Sequence, residues 1–169
     1  MLVEKKSFVG MAQIQIASVP TVFTCLGLGS CIGLCVIDRS IGVAGMIHIM
    51  LPAAFKNRPV DKIGKFADTG IPEMIRLLEA AGASKSRLVA AYAGGASVFK
   101  FGTGTEGAQD IGGRNAASVR SLLESLRLPV LGVDVGGSGG RTIFFDSGTG
   151  EVRVKAVKSG ENTLCVLRR

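Results

Sequence analysis

Two side chains in this sequence are suited to covalent chemistry together, Cys31 and His48. Cys31 follows the glycine-bearing turn GLGS, and His48, within GMIHIML, is the only histidine of the chain. A thiolate is the reactive form of cysteine, and a base close to the sulfur is needed to produce it. A glycine turn also leaves backbone N–H groups open to a substrate oxygen. These residue types favour nucleophilic thiol chemistry.

Packing is the alternative role for both residues. Free cysteine is among the most buried residue types, and a single histidine in an apolar strand is commonly a core residue bonded to a carbonyl group. The joint placement of Cys31 and His48, with the turn beside the thiol, favours a catalytic pair. Cys35 and Cys165 lack the turn and the nearby base, so they are interpreted as packing residues.

The spacing of the pair depends on the hairpin that joins their two strands. A two-residue loop at Arg39-Ser40 places Cys31 directly opposite His48, with Cβ atoms about 5 Å apart. A four-residue loop, which Gly42 permits, keeps both residues on one face but diagonally placed. A three-residue loop puts them on opposite faces. The sequence allows the two-residue register, and Gly42 keeps the longer loops possible.

Apolar periodicity predicts the elements that position this pair. Strands are predicted at residues 11–17, 20–28, 31–37, 43–50, 87–93, 130–135, 141–146, 151–157 and near 163–167. Two amphipathic helices are predicted, within 65–81 and over 111–126, and residues 103–109 are predicted to form a mobile loop. Pro72 either lies in the first turn of a helix that starts near Thr69 or kinks that helix. The pattern predicts an α+β fold, a single domain over 1–169 in which two main helices pack on mostly antiparallel β-sheets.

Composition excludes several classes of protein. The net charge is +7 but the basic residues are scattered, and the chain has one tyrosine and no tryptophan, so no nucleic-acid partner is expected. Glycine and polar residues interrupt every apolar run well short of a membrane span, and no signal peptide is evident. Free thiols without a regular spacing are typical of a reduced, cytoplasmic protein. With one histidine and no CxxC pair, no metal site is expected.

A dinucleotide-binding turn is a competing interpretation of GLGSCIG. That motif needs a helix after the turn and an acidic residue about 20 positions further on. Here the residues after the turn, CIGLCVID, form a strand-like run, and Asp38 comes too early. The match to a nucleotide-binding motif is therefore weak.

Six segments, taken in order, resemble the landmarks of the CheD family of chemoreceptor glutamine deamidases. They are TCLGLGSCIGLCVID, GMIHIMLP, GKFADTGIPEMI, AGGASVF, DIGGRNAASV and VGGSGGRTIFFDSGTGEV. The resemblance runs from about residue 8 to residue 158. It implies hydrolysis of selected receptor glutamine side chains to glutamate, in some members also of glutamyl methyl esters. It also implies an α/β sandwich similar to that of deamidating bacterial toxins.

Carried over by position, the resemblance implies that Cys31 is the nucleophile and His48 the general base. The family's third position is a threonine six residues before the cysteine, where this chain has Cys25, with Thr24 one place earlier. Neighbouring residues on a strand point to opposite faces. Three alternatives follow for the third group of the catalytic site: Thr24 reaches the site through a bulge, Cys25 orients the histidine, or a backbone carbonyl does so.

The implied reaction proceeds through a thioester and requires no metal or organic cofactor. Backbone N–H groups around Ser30 and Cys31 could hold the oxyanion. The glycines of AGGAS and the pair Arg114-Asn115 are expected either to line the site or to serve as a turn and a helix cap. The implied partners are the cytoplasmic helices of methyl-accepting chemoreceptors and a CheC-type phosphatase. The alternative function is a non-catalytic adaptor that binds receptors and that phosphatase.

Overall fold

The computed structural model describes residues 3–97 and 110–168, which form two five-stranded sheets and two α-helices. The helices are α1 (Ala67–Ala80) and α2 (Ile111–Ser125). The strands are β1 (Lys5–Phe8), β2 (Ile14–Ala17), β3 (Thr21–Leu28), β4 (Ile32–Asp38), β5 (Ala44–Ile49), β6 (Leu88–Gly94), β7 (Val130–Val135), β8 (Arg141–Asp146), β9 (Glu151–Ala156) and β10 (Gly160–Val166). The predicted loop at 103–109 lies outside the described residues.

The two sheets have the strand orders β1-β3-β8-β9-β10 and β2-β5-β4-β6-β7. Neighbouring strands are antiparallel except in the pairs β1–β3 and β6–β7, which are parallel. This architecture confirms the predicted α+β fold with two helices and mostly antiparallel sheets.

Two hydrophobic clusters lie on the two faces of the second sheet. One cluster joins that sheet to the first and contains Phe23, Cys35, Met46 and Phe145. The other joins the opposite face to α1 and α2. Strands β4, β5 and β6 are therefore buried throughout, which explains why their sequences are nearly continuous apolar runs.

Helix α1 begins at Ala67, earlier than the start near Thr69 that one of the two alternatives for Pro72 required. The proline therefore lies inside the helix, beyond its first turn. The buried face of α1, which includes Ile71, Met74 and Leu78, supplies enough apolar contact to hold the helix despite the missing N–H group.

The hairpin between β4 and β5 has a four-residue loop, so the two-residue register is wrong. Gly33 lies opposite His48, and Ile37 pairs with Ala44. Asp38 fixes the longer loop, because its side chain accepts hydrogen bonds from the N–H groups of Ser40 and Ile41. The loop closes on Gly42, whose φ of 76° suits glycine. Cys31 and His48 consequently belong to the diagonal arrangement that the four-residue alternative predicted.

Asp38 also ties this hairpin to the start of β6. Its carboxylate is fully buried, and it accepts a hydrogen bond from the Ser84 N–H at 2.9 Å and pairs with the Arg87 guanidinium at 2.9 Å. Burial alone would raise the pKa of the carboxyl. The Arg87 guanidinium and the three backbone N–H donors outweigh burial and lower that pKa to about 2.

Acid is expected to remove the stabilisation that Asp38 provides. Because the folded pKa is lower than the unfolded value of about 3.9, the stabilisation is complete above the unfolded pKa. It is lost as the pH falls through about 4 to about 2. Urea unfolding should show a free energy of unfolding that drops by about 2 kcal/mol more in the wild type than in Asp38→Asn over that interval.

A matched control is Glu73→Gln, which removes the exposed Glu73–Arg76 ion pair of α1. Exposed pairs of this kind contribute little, so this variant should keep the wild-type acid dependence. Equal acid dependence in the wild type and Asp38→Asn would contradict the assignment.

Candidate active site

A surface cavity of about 420 Å³ contains the two residues that the sequence singled out for chemistry. It lies between the N-terminal segment, the end of β3, the residue before β4, and β5. Its lining residues are Phe8, Val9, Gly10, Met11, Thr24, Leu26, Gly27, Cys31 and His48. The cavity thus brings together Cys31, His48 and Thr24.

Cys31 stands immediately before β4 and is partly exposed to the cavity. Burial raises the pKa of its thiol above the ordinary value. At neutral pH the sulfur is therefore mostly protonated, and a nucleophilic role requires a base that removes the proton as the sulfur attacks.

The backbone around Cys31 is held by hydrogen bonds to three successive carbonyl oxygens. The Gly29 oxygen accepts from the Ala96 N–H at 2.8 Å, and the Cys31 oxygen accepts from the Gly95 N–H at 2.9 Å. Between them, the Ser30 oxygen accepts from the Asn115 side-chain amide at 2.9 Å. The AGGAS segment and α2 therefore fix the turn that carries the thiol.

Gly94 makes this close approach possible. It has a φ of 121°, and a Cβ atom at this position would collide with the Cys31 carbonyl oxygen. A side chain here would push the turn away from β6. The glycines of AGGAS thus act on the turn through their backbone.

The N–H groups of Ser30 and Cys31 make no hydrogen bond to any residue that the structure describes. Each belongs to a peptide unit whose carbonyl is already held, on Gly29 and Ser30 respectively. Because the peptide unit is planar and trans, its N–H points opposite to its C=O. The directions of these two N–H groups are therefore fixed, and an anionic oxygen placed on that side of the turn could accept a hydrogen bond from each.

His48 is oriented by the backbone of the N-terminal segment. Its Nδ1 lies 3.0 Å from the Val9 carbonyl oxygen. A carbonyl only accepts, so Nδ1 carries the proton and Nε2 is the basic nitrogen. The His48 main chain is held as well, because its N–H donates to the Gln13 oxygen and its own oxygen accepts from Ala12.

Thr24 lines the cavity, but it is connected to the imidazole only through main-chain hydrogen bonds among the described residues. The Val9 N–H donates to the Thr24 carbonyl oxygen at 2.8 Å, and the Val9 oxygen accepts from His48. Among the residues that the structure describes, the Thr24 hydroxyl makes no hydrogen bond to His48. The strand irregularity that one alternative needed lies after Thr24, between Cys25 and Leu28.

Cys25 is excluded from the cavity by burial between the two sheets. Its Sγ lies 3.3 Å from the Met46 Sδ, and burial, with the nearby Cys31 thiol as a smaller cause, raises its pKa to about 12. Of the three alternatives for the group that orients His48, the backbone carbonyl is the one in place, on Val9. The sequence gives no sign of it, because a main-chain acceptor does not depend on the residue type.

The mouth of the cavity is apolar and open. Phe8, Met11 and Leu26 line it and are 60%, 62% and 59% exposed. Leu26 is turned outward at the strand irregularity of β3, where the register with β8 shifts. Three large apolar side chains around one opening are typical of a surface that another molecule covers.

A thiol and an oriented imidazole in one open cavity of an α+β domain are the two groups that a cysteine hydrolase requires. Comparison with known proteins gives the particular family. The family described as CheD chemotactic sensory transduction matches residues 50–156. The chain belongs to the CheD family.

Curated relatives match nearly the whole chain. A relative from Desulfitobacterium hafniense is 46% identical over 156 residues, and one from Syntrophomonas wolfei is 43% identical over the same length. Each alignment covers 92% of this chain and 96% of the relative. Both relatives are named probable chemoreceptor glutamine deamidase CheD. In the described part of the chain, no helix has the length and apolarity needed to span a membrane.

Proposed function

We propose that this protein is a chemoreceptor glutamine deamidase in which Cys31 is the nucleophile and His48 the general base. The observation that carries the proposal is the placement of a thiol and an Nδ1-anchored imidazole in one cavity of a CheD-family chain. The names of its relatives supply the substrate class, glutamine side chains of chemoreceptors.

The reaction begins when the Nε2 atom of His48 takes the proton of the Cys31 thiol. The sulfur attacks the carboxamide carbon of the glutamine, and the N–H groups of Ser30 and Cys31 hold the oxygen as it becomes negative. When the C–N bond breaks, the imidazolium gives its proton to the leaving nitrogen and ammonia departs. A thioester joins Cys31 to the substrate at this stage.

Hydrolysis of the thioester uses the same groups in a second cycle. His48 takes a proton from water, the resulting hydroxide attacks the thioester carbon, and the C–S bond breaks. The proton returns to the sulfur, glutamate is released and the free thiol is restored. The net change is glutamine plus water to glutamate plus ammonia. A glutamyl methyl ester would follow the same route with methanol as the leaving group, so we also propose a receptor methylesterase activity.

The partners proposed for this chain are the cytoplasmic helices of chemoreceptors and a CheC-type phosphatase, both in the cytoplasm. The apolar mouth formed by Phe8, Met11 and Leu26 supports contact with a protein surface around the reacting glutamine. The net charge of +7 favours encounter with acidic helices. Thr24 stays a candidate third site residue, acting through its carbonyl bond to Val9.

The test is incubation of the protein with a purified receptor cytoplasmic fragment, followed by mass spectrometry of the receptor peptides and measurement of released ammonia. Conversion of selected glutamines to glutamate, with free glutamine untouched, is the expected result. Binding of the fragment without conversion would instead support the adaptor alternative. A methylated fragment assayed for methanol tests the esterase activity separately.

A further inference from the structure

Asn115 of α2 is fully buried and connects the two parts of the backbone that carry the site. Its Nδ2 atom lies 2.9 Å from the Ser30 carbonyl oxygen and 2.9 Å from the Met50 carbonyl oxygen. Ser30 directly precedes Cys31, and Met50 directly follows β5, the strand of His48. One side-chain amide therefore bonds to both segments.

The bridge stands where the β4–β5 ladder ends. The last pair of that ladder is Ile32 with Ile49, so Cys31 and Met50 lie just beyond it. If the ladder continued, the backbones of the two strands would hydrogen-bond directly to each other at this point. Instead, the Asn115 side-chain amide donates to a carbonyl oxygen of each segment. The separation of the thiol-bearing turn from the histidine strand thus depends on α2.

The Ser30 oxygen belongs to the same peptide unit as the Cys31 N–H. A hydrogen bond to that oxygen fixes the plane of the unit and hence the direction of the N–H on its opposite edge. Asn115 is the donor that holds this peptide unit, since the neighbouring units are held by Ala96 and Gly95. It therefore aims one of the two donors proposed for the oxyanion.

The oxygen of the Asn115 side-chain amide indicates that this residue does more than stabilise the fold. The Asn115 Oδ1 atom is the one buried side-chain N or O atom without a hydrogen-bond partner among the residues that the structure describes. An unsatisfied buried acceptor is unfavourable for folding, and an apolar residue of similar size would avoid it. What asparagine offers here is a side chain that donates to both carbonyls from one position.

We infer that Asn115 is a positioning residue for the reaction, acting through the Ser30–Cys31 peptide unit and the end of β5. The inference rests on the proposed function for its kinetic consequence but not for its geometry. Without the amide, the Cys31 turn loses its fixed orientation toward His48 and toward the oxygen of the substrate.

The test compares Asn115→Ala and Asn115→Asp with the wild type. Both variants remove the amide donors, and Asp keeps the side-chain volume, so a shared effect is not due to a cavity. The expected result is a kcat for receptor deamidation lower by about a hundredfold, as for a small misplacement of reacting groups, with KM within about twofold because the mouth of the cavity is untouched. Circular dichroism and an unreactive, buried Cys35 verify folding.

Ser118→Ala is the matched control. Ser118 lies one turn further along α2 and donates to the Pro52 carbonyl at 2.8 Å, so it also joins the helix to the segment after β5. Its loss should leave kcat near the wild-type value. A folded Asn115 variant with wild-type kcat, an effect confined to KM, or an equal loss in Ser118→Ala would overturn the inference.

A second readout separates this inference from the proposed function. The alkylation rate of Cys31 near neutral pH, measured against that of Cys165 in the same sample, reports the local geometry without a receptor. We expect Cys31 to react faster than Cys165 in the wild type, because His48 takes its proton. Both Asn115 variants should lose this difference, and Ser118→Ala should keep it. A wild type that alkylates fast at Cys31 but converts no receptor glutamine would count against the deamidase proposal, while loss of that alkylation in the variants would still support Asn115.

Discussion

Replacement of Cys31 by serine is expected to lower the rate of receptor deamidation by at least about a thousandfold. A serine hydroxyl in the same place is far harder to deprotonate than a thiol and is a weaker nucleophile. The His48 imidazole, whose Nδ1 is held by the Val9 carbonyl, is still present but has no thiol to activate. The measurement is the rate of glutamine-to-glutamate conversion in a receptor fragment, followed by mass spectrometry.

Cys165→Ser is the matched control, since Cys165 is another free and partly exposed cysteine. It does not line the cavity, so this variant should deamidate at the wild-type rate. A Cys31→Ser protein that keeps more than about a tenth of the wild-type rate would show that the thioester route is wrong.

Replacement of His48 by alanine is expected to lower the same rate by about a thousandfold, as for loss of a general base. The pKa of Cys31 gives the reason and a second observable. Because burial raises that pKa, the thiol is mostly protonated near neutral pH and needs a base. Cys31 should therefore react with iodoacetamide more slowly in His48→Ala than in the wild type near pH 7.

The difference in alkylation rate between the two proteins should shrink as the pH rises through the pKa of the thiol, because a sulfur that is already deprotonated needs no base. Cys165 in the same samples serves as an internal reference, and circular dichroism reports the fold. Equal alkylation rates at Cys31 in both proteins at every pH would contradict the pairing of the thiol with the imidazole. His48→Gln, which keeps most of the side-chain volume, should behave like His48→Ala if the basic nitrogen is what matters.

Much of the fold was predictable because its central strands are buried on both faces. A strand such as β4 is apolar at nearly every position, and the predicted strand at 31–37 lies within a residue of the observed Ile32–Asp38. The strand β1, Lys5–Phe8, was missed. It is an edge strand, largely exposed and half basic, so no apolar periodicity marks it.

The candidate site was predictable in its residue types but not in its geometry. The thiol and the sole histidine were visible in the sequence, yet their register depended on a loop length that the sequence left open. Asp38 decided it through hydrogen bonds to the loop N–H groups. The Asn115 bridge joins positions distant in the sequence, on three different segments. Only tertiary structure brings such positions together.

The hydrogen bond between Nδ1 of His48 and the Val9 carbonyl determines which substitutions can disturb the orientation of the imidazole. In a Ser-His-Asp triad, the group that orients the imidazole is a carboxylate that one codon change removes. Here the acceptor is a main-chain carbonyl, so any residue at position 9 supplies it. Of the thiol, the imidazole and this carbonyl, substitution of side chains would therefore reveal only the first two. Displacing the strand-like segment that carries Val9, rather than replacing any side chain, is the way to release the imidazole.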